Sequence, residues 1–320
     1  MSDVSNETQF LHAIEIGLGA WQWGDRVVWG YGQTHTDKEI RESFETSVNL
    51  GVHFVDTAEI YGSGHSERLL GQFLKGIDQP VLTATKFFPW PWRLTKGFIP
   101  QALKGSLERM GLKSVDLYQI HWASPFMSPE TMMEGLVECV KSGLTRTVGV
   151  SNFGQKLMLR AYSTLAQHGI PLASNQVHYS LLNREVEKNG MLARCKELGI
   201  RLIAYSPLEM GLLTGKYTAE KPPSGVRGSQ SAELLRKLPP VTKLMQEIAL
   251  NHGDKTVSQV ALNWLICKGA LPIPGAKNIR QAELNAGGAG WKLTEDEVVR
   301  LDEATDHIRE YKKEGTVQKS

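Results

Sequence analysis

Cysteine is scarce in this chain and none of it is patterned. The three copies among 320 residues, Cys139, Cys195 and Cys267, are odd in number, far apart and free of CxxC or Cys/His ligand spacing. That argues against a disulfide framework and against a structural zinc site. No metal is expected, and reduced thiols of a cytoplasmic protein are the simpler reading. A surplus of one charge is also missing. Lys and Arg number 36 against 34 Asp and Glu, a net charge of +2, and no run of basic residues stands out. A nucleic-acid partner is therefore not expected. No apolar run approaches the roughly 18 residues that suggest a membrane span. The polar, acidic stretch Met1 to Phe10 lacks the basic start and apolar core of a signal peptide. Its one glycosylation sequon, Asn6-Glu7-Thr8, carries no meaning in a cytoplasmic protein.

What is present is a composition that folds: 41% hydrophobic and 22% charged residues, too apolar and too weakly charged overall for a disordered chain. Length alone allows two ordinary domains or one large (β/α) barrel. The order of elements separates the two. Short apolar or β-branched runs occur at Ile14–Leu18, Val52–Val55, Val81–Thr85, Val115–Ile120, Thr147–Val150, Ala173–Val177, Arg201–Ala204 and Leu271–Ile273. Each is bounded by Gly, Pro or a polar cluster, so they read as eight strands. Helical apolar spacing fills the intervals. The first helix starts with Thr36 and Glu39 in capping-box spacing and stops at Gly51, and Gly111, Gly143, Gly169 and Gly199 punctuate later helix ends. Eight alternating units without a linker near the middle predict a single (β/α)8 TIM barrel, an α/β fold with its active site at the C-terminal face, over residues 1–320. Polar tails are expected at about 1–10 and 310–320, and Thr218–Pro240, with its proline pairs, as a long loop of the lid or disordered kind. Thr294 and Glu297 mark one more capped helix.

Barrel chemistry gathers where strands end. Strand one leads to Trp21 and Trp23, strand two to Asp56 with Tyr61 beyond it, strand three to Lys86, and strand four to His121 and Trp122. Strand five delivers Ser151 and Asn152, strand six Asn175 and Gln176, strand seven Tyr205 and Ser206, and strand eight Gly275-Ala276-Lys277. A lone Asp at such a place is more often a cap or turn residue, and a lone Tyr or His a satisfied core or surface group. Asp, Tyr, Lys and His on successive units require that coincidence four times. Together they make a proton donor: a neighbouring ammonium, held by a carboxylate, lowers the ordinary phenol pKa of ~10. Tyr61, Lys86 and Asp56 supply those roles, and His121 orients the substrate oxygen or shares the proton. A proton delivered to a carbonyl oxygen calls for hydride at its carbon, hence a nicotinamide.

These residues also carry a resemblance. Phe54-Val55-Asp56-Thr57-Ala58-Glu59-Ile60-Tyr61-Gly62 resembles the aldo-keto reductase motif around its catalytic Asp and Tyr. Thr83-Ala84-Thr85-Lys86 and Val115-Asp116-Leu117-Tyr118-Gln119-Ile120-His121-Trp122 are similar to that family's Lys and His strands, and the likeness runs in order from about Ile14 to Leu301. It implies a barrel oxidoreductase with catalytic Asp56, Tyr61, Lys86 and His121, binding NADPH or NADP+ across the barrel mouth without a Rossmann domain. In keeping with that, Gly17-Leu18-Gly19-Ala20-Trp21-Gln22 begins like a dinucleotide fingerprint and lacks the third glycine. The resemblance assigns Ser151, Asn152 and Gln176 to the carboxamide and Tyr205 to stacking on the nicotinamide. It gives Ser206, Pro207, Leu208, Gly211, Leu213, Lys216 and Gly275 to the pyrophosphate segments and Lys277, Arg280, Gln281 and Asn285 to the phosphate and adenine end, with Trp21 and Asp56 also at the cofactor. Leu284 stands where members often have Glu.

Trp21, Trp23, Trp90, Trp92 and Trp122 cluster after strands one, three and four, joined by Phe87, Phe88 and Phe126. They predict an apolar substrate pocket for hydrophobic or aromatic aldehydes and some ketones rather than phosphorylated sugars. The competing function is a cofactor-binding regulatory or sensor protein resembling potassium-channel β subunits. An aldolase-type barrel with Lys86 as Schiff-base nucleophile leaves Tyr61, Asn152 and Gln176 without a joint role. A monomer or weak oligomer is expected, with no membrane partner.

Overall fold

Eight parallel strands follow one another in chain order, each hydrogen-bonded to the next. They are β1 (Leu18–Gly19), β2 (Phe54–Asp56), β3 (Leu82–Phe87), β4 (Val115–Ile120), β5 (Thr145–Ser151), β6 (Leu172–His178), β7 (Arg201–Tyr205) and β8 (Leu271–Pro272). The sheet curls until its edges meet: Gly17 N–H donates to Pro272 O and Gly19 N–H to Pro274 O, both at 3.0 Å. The computed structural model describes residues 4–26, 28–223, 226–306 and 308.

Helices lie between the strands and outside them. They are α1 (Val4–Ala13), α2 (Asp37–Asn49), α3 (His65–Leu74), α4 (Phe98–Met110), α5 (Pro129–Lys141), α6 (Gln155–Ala166), α7 (Glu185–Lys188), α8 (Met191–Glu197), α9 (Val226–Lys237), α10 (Pro239–Asn251), α11 (Val257–Cys267), α12 (Ile279–Ala286) and α13 (Glu295–Thr305). The capping boxes read from the sequence at Thr36/Glu39 and Thr294/Glu297 both form. Each satisfies backbone N–H groups that the first helical turn leaves without partners.

Two expectations need correction. The N-terminal stretch is not a polar tail: residues 4–13 form α1, and Leu11 is fully buried among Phe54, Ala84, Leu117, Ile203 and Ile273 inside the barrel. His12 reaches Gly199 O, Arg201 donates to Ile14 O, and the Arg146 guanidinium lies 4.4 Å over the Phe10 ring. These partners sit at the starts of β5 and β7, so α1 closes the barrel floor. The Thr218–Pro240 segment is not a structureless loop either. It contains α9 and the first two residues of α10, with Leu235 and Leu238 buried. The expected tail at 310–320 lies outside the described residues.

The barrel interior changes character along its axis. Phe54, Ala84 and Leu117 belong to its apolar core, and two residues further along the same strands stand Asp56, Lys86 and Gln119, all buried. Strand alternation makes this layering: side chains two apart face the same way, so one inward column runs from apolar floor to polar mouth.

Candidate active site

The polar layer is one hydrogen-bonded cluster. Lys86 Nζ donates to Asp56 Oδ2, to Thr57 O at 2.9 Å and to the Tyr61 hydroxyl at 3.4 Å. Asp56 Oδ1 accepts from Gln176 Nε2 at 2.8 Å and from Gln119 Nε2 at 3.1 Å. Three donors therefore hold a carboxylate that is 2% exposed, and it in turn holds the ammonium. The His121 ring stands edge-to-face with Tyr61, centroids 5.6 Å apart, and its buried Nδ1 has no hydrogen-bond partner among the described residues. Tyr61 reaches this point from a short 3-10 turn, Tyr61–Gly64, in which Gly62 has φ +54°. A Cβ there would lie 3.0 Å from Gly24 Cα, so the turn depends on two glycines meeting back to back.

Burial decides the protonation states. Desolvation raises the Tyr61 pKa above its usual 10; Lys86 pulls it down and Asp56 pushes it up, and the net is a rise. The direction is opposite to the expected lowering, because burial outweighs the Lys86 ammonium and Asp56 opposes the ammonium's field. Desolvation works against the Lys86 ammonium, but Asp56 and Tyr61 outweigh it and its pKa is raised. His121 is pushed down to about 3 by desolvation and then by Lys86, so the imidazole is neutral near pH 7. At that pH the cluster holds a neutral phenol, an ammonium paired with Asp56 and a neutral imidazole.

A cavity of about 1060 Å³ opens above them. Its lining includes Trp21, Asp56, Tyr61, His121, Trp122, Ser151, Asn152, Gln176, Tyr205, Ser206, Pro207, Leu208, Gly211, Lys216, Gly275, Lys277, Arg280, Gln281 and Asn285. The amide side of the wall is tightly oriented. Asn152 Nδ2 donates to His121 O and Ser151 Oγ, its Oδ1 accepts from the Tyr205 hydroxyl at 2.9 Å, and Ser151 donates to Gln176 O. Asn152 and Ser206 hold φ of +59° and +50°, sparsely populated backbone that marks functional sites. At the far end Asn278 caps α12, its side chain accepting the Gln281 N–H, and Lys277 donates to Trp29 O at 3.0 Å. Lys277 and Arg280 bring positive charge to this helix N-terminus, and Lys216 lines the same cavity, an arrangement suited to a phosphate.

Four placements differ from the sequence reading. Trp23 does not line the pocket. A turn, Trp23 N–H to Ala20 O at 3.1 Å, breaks strand alternation after Ala20 and sends the indole into the core against Phe44 and Phe73. Trp90 and Trp92 also stand outside the cavity lining. Trp92 is 64% exposed and stacks on Trp90, which in turn packs on Phe88, the ring of this loop that does face the cavity. The Leu213 side chain is buried in the core and its N–H is taken by Leu208 O. Lys86 stands behind Tyr61 and on Asp56, the supporting place expected for it. Conversely, the sequence reading missed Gln22, Asp25 and Trp29 on the wall between β1 and α2, together with Met210, Tyr217, Thr256 and Ser258. The long span from Ala20 to Thr36, longer than a simple βα connection needs, was the available signal.

Comparisons with known proteins agree with this geometry. The family model described as "Aldo/keto reductase family" matches residues 15–306. A pyridoxal reductase named as chloroplastic, from Arabidopsis thaliana, is 43% identical over 307 residues, covering 92% of this chain and 84% of that protein. Among solved structures, a thermostable aldo-keto reductase crystallised with the inhibitor epalrestat is 31% identical with a TM-score of 0.73, covering 91% of this chain and 94% of that one. An aldo/keto reductase from Klebsiella pneumoniae, in complex with NADP and acetate, is 26% identical with a TM-score of 0.71, covering 90% of both chains. None of these relatives is a channel subunit. Among the described residues no helix is long and apolar enough to cross a membrane. With the motifs in order, the eight strands closed into a barrel and the family model matched over most of the length, the chain belongs to the aldo/keto reductase family.

Proposed function

We propose that this chain is an NADPH-dependent reductase of aldehydes and some ketones, a single barrel domain with Tyr61 as general acid. The observation that carries the reading is the convergence of Tyr61, Lys86, Asp56 and His121 at the floor of one cavity whose other end is cationic. The residues fit the cofactor. Ser151, Asn152, Gln176 and Tyr205 present fixed polar groups and a ring beside the reacting end, and Lys277, Arg280 and Gln281 surround a helix N-terminus. The Klebsiella relative binds NADP, which supports the same choice here.

When bound, the nicotinamide supplies hydride to the carbonyl carbon. The chain's own part is proton transfer and orientation. Tyr61 donates its hydroxyl proton to the carbonyl oxygen, a contribution of about 10²–10⁴-fold for a placed acid. Lys86 stands 3.4 Å from that hydroxyl and stabilises the phenolate as it forms. Asp56 keeps Lys86 in place. The neutral His121 ring offers a hydrogen bond to the same oxygen without competing for the proton. Trp21, Phe88 and Trp122 wall the substrate side and favour apolar or aromatic aldehydes. The Arabidopsis relative is named for an aromatic aldehyde, in keeping with that wall. Cys139 and Cys195 are buried free thiols and Cys267 is a half-buried one, which suits a reducing compartment such as the cytoplasm.

The test is loss of NADPH absorbance with benzaldehyde, pyridoxal, propanal and glyceraldehyde 3-phosphate, run for wild type and Tyr61→Phe. Wild type should consume NADPH fastest with the aromatic aldehydes. Tyr61→Phe should lose about 10²–10⁴-fold in kcat and bind NADPH as before. No NADPH consumption with any carbonyl would sink the reading, and a variant within a few-fold of wild type would remove Tyr61 from its role.

A further inference from the structure

We infer that Glu59 and Arg93 form a positioning strut that sets Phe88 against the substrate and thereby gives the enzyme its preference for aromatic aldehydes. The inference rests on the reductase reading and goes to two residues that it leaves without a role. Glu59 Oε1 accepts the Phe88 backbone N–H at 2.6 Å and also accepts from Arg93 Nη1, while Arg93 Nη2 donates to Glu59 Oε2 at 3.0 Å. Arg93 Nη1 returns to donate to Phe88 O at 2.9 Å. The pair therefore grips both polar groups of one residue's backbone. That residue faces the cavity, and its ring stands edge-to-face with His121, centroids 5.8 Å apart. The Arg93 guanidinium also lies 4.8 Å over the Phe87 ring.

Three features separate this from ordinary surface pairing. The side chains of Glu59 and Arg93 are only 9% and 16% exposed, so the pair is largely desolvated. Such pairs often add little net stability over an apolar replacement, and their clearest use is to specify geometry. Glu59 is also joined to the machinery on both sides: it lies two residues before Tyr61, and its N–H points to Lys86 O at 3.4 Å. Finally, Phe88 supports Trp90 at 4.6 Å, and Trp90 supports Trp92 at 5.1 Å with 5° between planes. The aromatic ladder from His121 to the surface thus hangs on the residue that the strut holds. Strand β3 ends at Phe87, and the strut replaces the sheet hydrogen bonds that no longer fix the chain beyond it.

The test is steady-state kinetics of the Glu59→Gln/Arg93→Met double variant, which leaves no unpaired charge, with NADPH and either benzaldehyde or propanal. The expected result is a KM for benzaldehyde raised about tenfold, the order of one lost apolar contact in a pocket. KM for propanal and kcat for both substrates should stay within about twofold. In a Phe88→Ala background the same double substitution should add almost nothing, because strut and ring act as one unit. Arg93→Lys keeps a cation opposite Glu59; it should restore part of the preference, and it carries the measurement if the double variant does not fold. Equal losses for both aldehydes, an unchanged KM ratio, or full additivity with Phe88→Ala would overturn the inference. Wild type inactive toward every aldehyde would instead count against the reductase reading.

Discussion

Lys86 lies close enough to Tyr61 to draw its proton, yet the phenol is held more firmly than a free one because burial outweighs the ammonium. The members of this cluster were legible in the sequence, since each follows a strand end in an eightfold pattern. The sign of the phenol shift was not legible, because it depends on how completely the site is buried and on where Asp56 stands. His121 carries a testable consequence of the same burial. An unfolded His titrates near 6.5, whereas His121 in the fold titrates at about 3, desolvation being the larger cause and Lys86 the next. Between those values the unfolded chain binds a proton that the folded chain refuses, so stability falls as pH falls through that window. Urea midpoints measured at pH 7.5 and pH 5 should separate more for wild type than for His121→Asn. Identical separations would mean that the folded protein accepts a proton on His121 in that range.

Elements were read with uneven success, for identifiable reasons. Strand cores β2 to β7 were found because both faces are covered, which yields short continuous apolar runs between Gly or polar stops. The helix α1 escaped because its residues look polar, Thr8 and Leu11 being the buried ones between residues 8 and 13; α9 escaped because the proline pairs beside it read as loop. The wall between β1 and α2 escaped because Trp29 belongs to no periodic pattern. Lys277, just ahead of α12, reaches that wall: its Nζ donates to Trp29 O, and the ammonium lies 4.9 Å from the indole centroid. A cofactor 2′-phosphate at the α12 N-terminus would draw Lys277 by a charge-assisted bond stronger than its bond to a neutral carbonyl. Lys277→Ala should therefore weaken NADPH by about tenfold or more and NADH much less, as read by fluorescence titration of each cofactor. Equal losses for the two would place the phosphate contact on Arg280 or Lys216 instead.

At the scale of the whole molecule, chemistry and stability occupy opposite ends of the barrel. Asp56, Lys86 and Gln119 fill the mouth with polar groups that are paired but costly to bury, and the apolar layer beneath them must offset that cost. Leu11 of α1 completes that layer from below: it is fully buried against Phe54, Leu117 and Ile273. A Leu→Ala change at a site of this kind costs about 2–5 kcal/mol, the lost transfer energy plus the cavity left behind. For a domain of this size the midpoint of thermal unfolding should drop by roughly 3–8 °C. Turnover at 25 °C should hardly change, because Phe54 lies between Leu11 and Asp56 on the inward column and keeps the floor of the active site in place. Leu11→Ala assayed by calorimetry and by NADPH consumption separates the two ends. A large loss of kcat with an unchanged melting temperature would mean that the barrel floor sets the catalytic geometry and contributes little to stability.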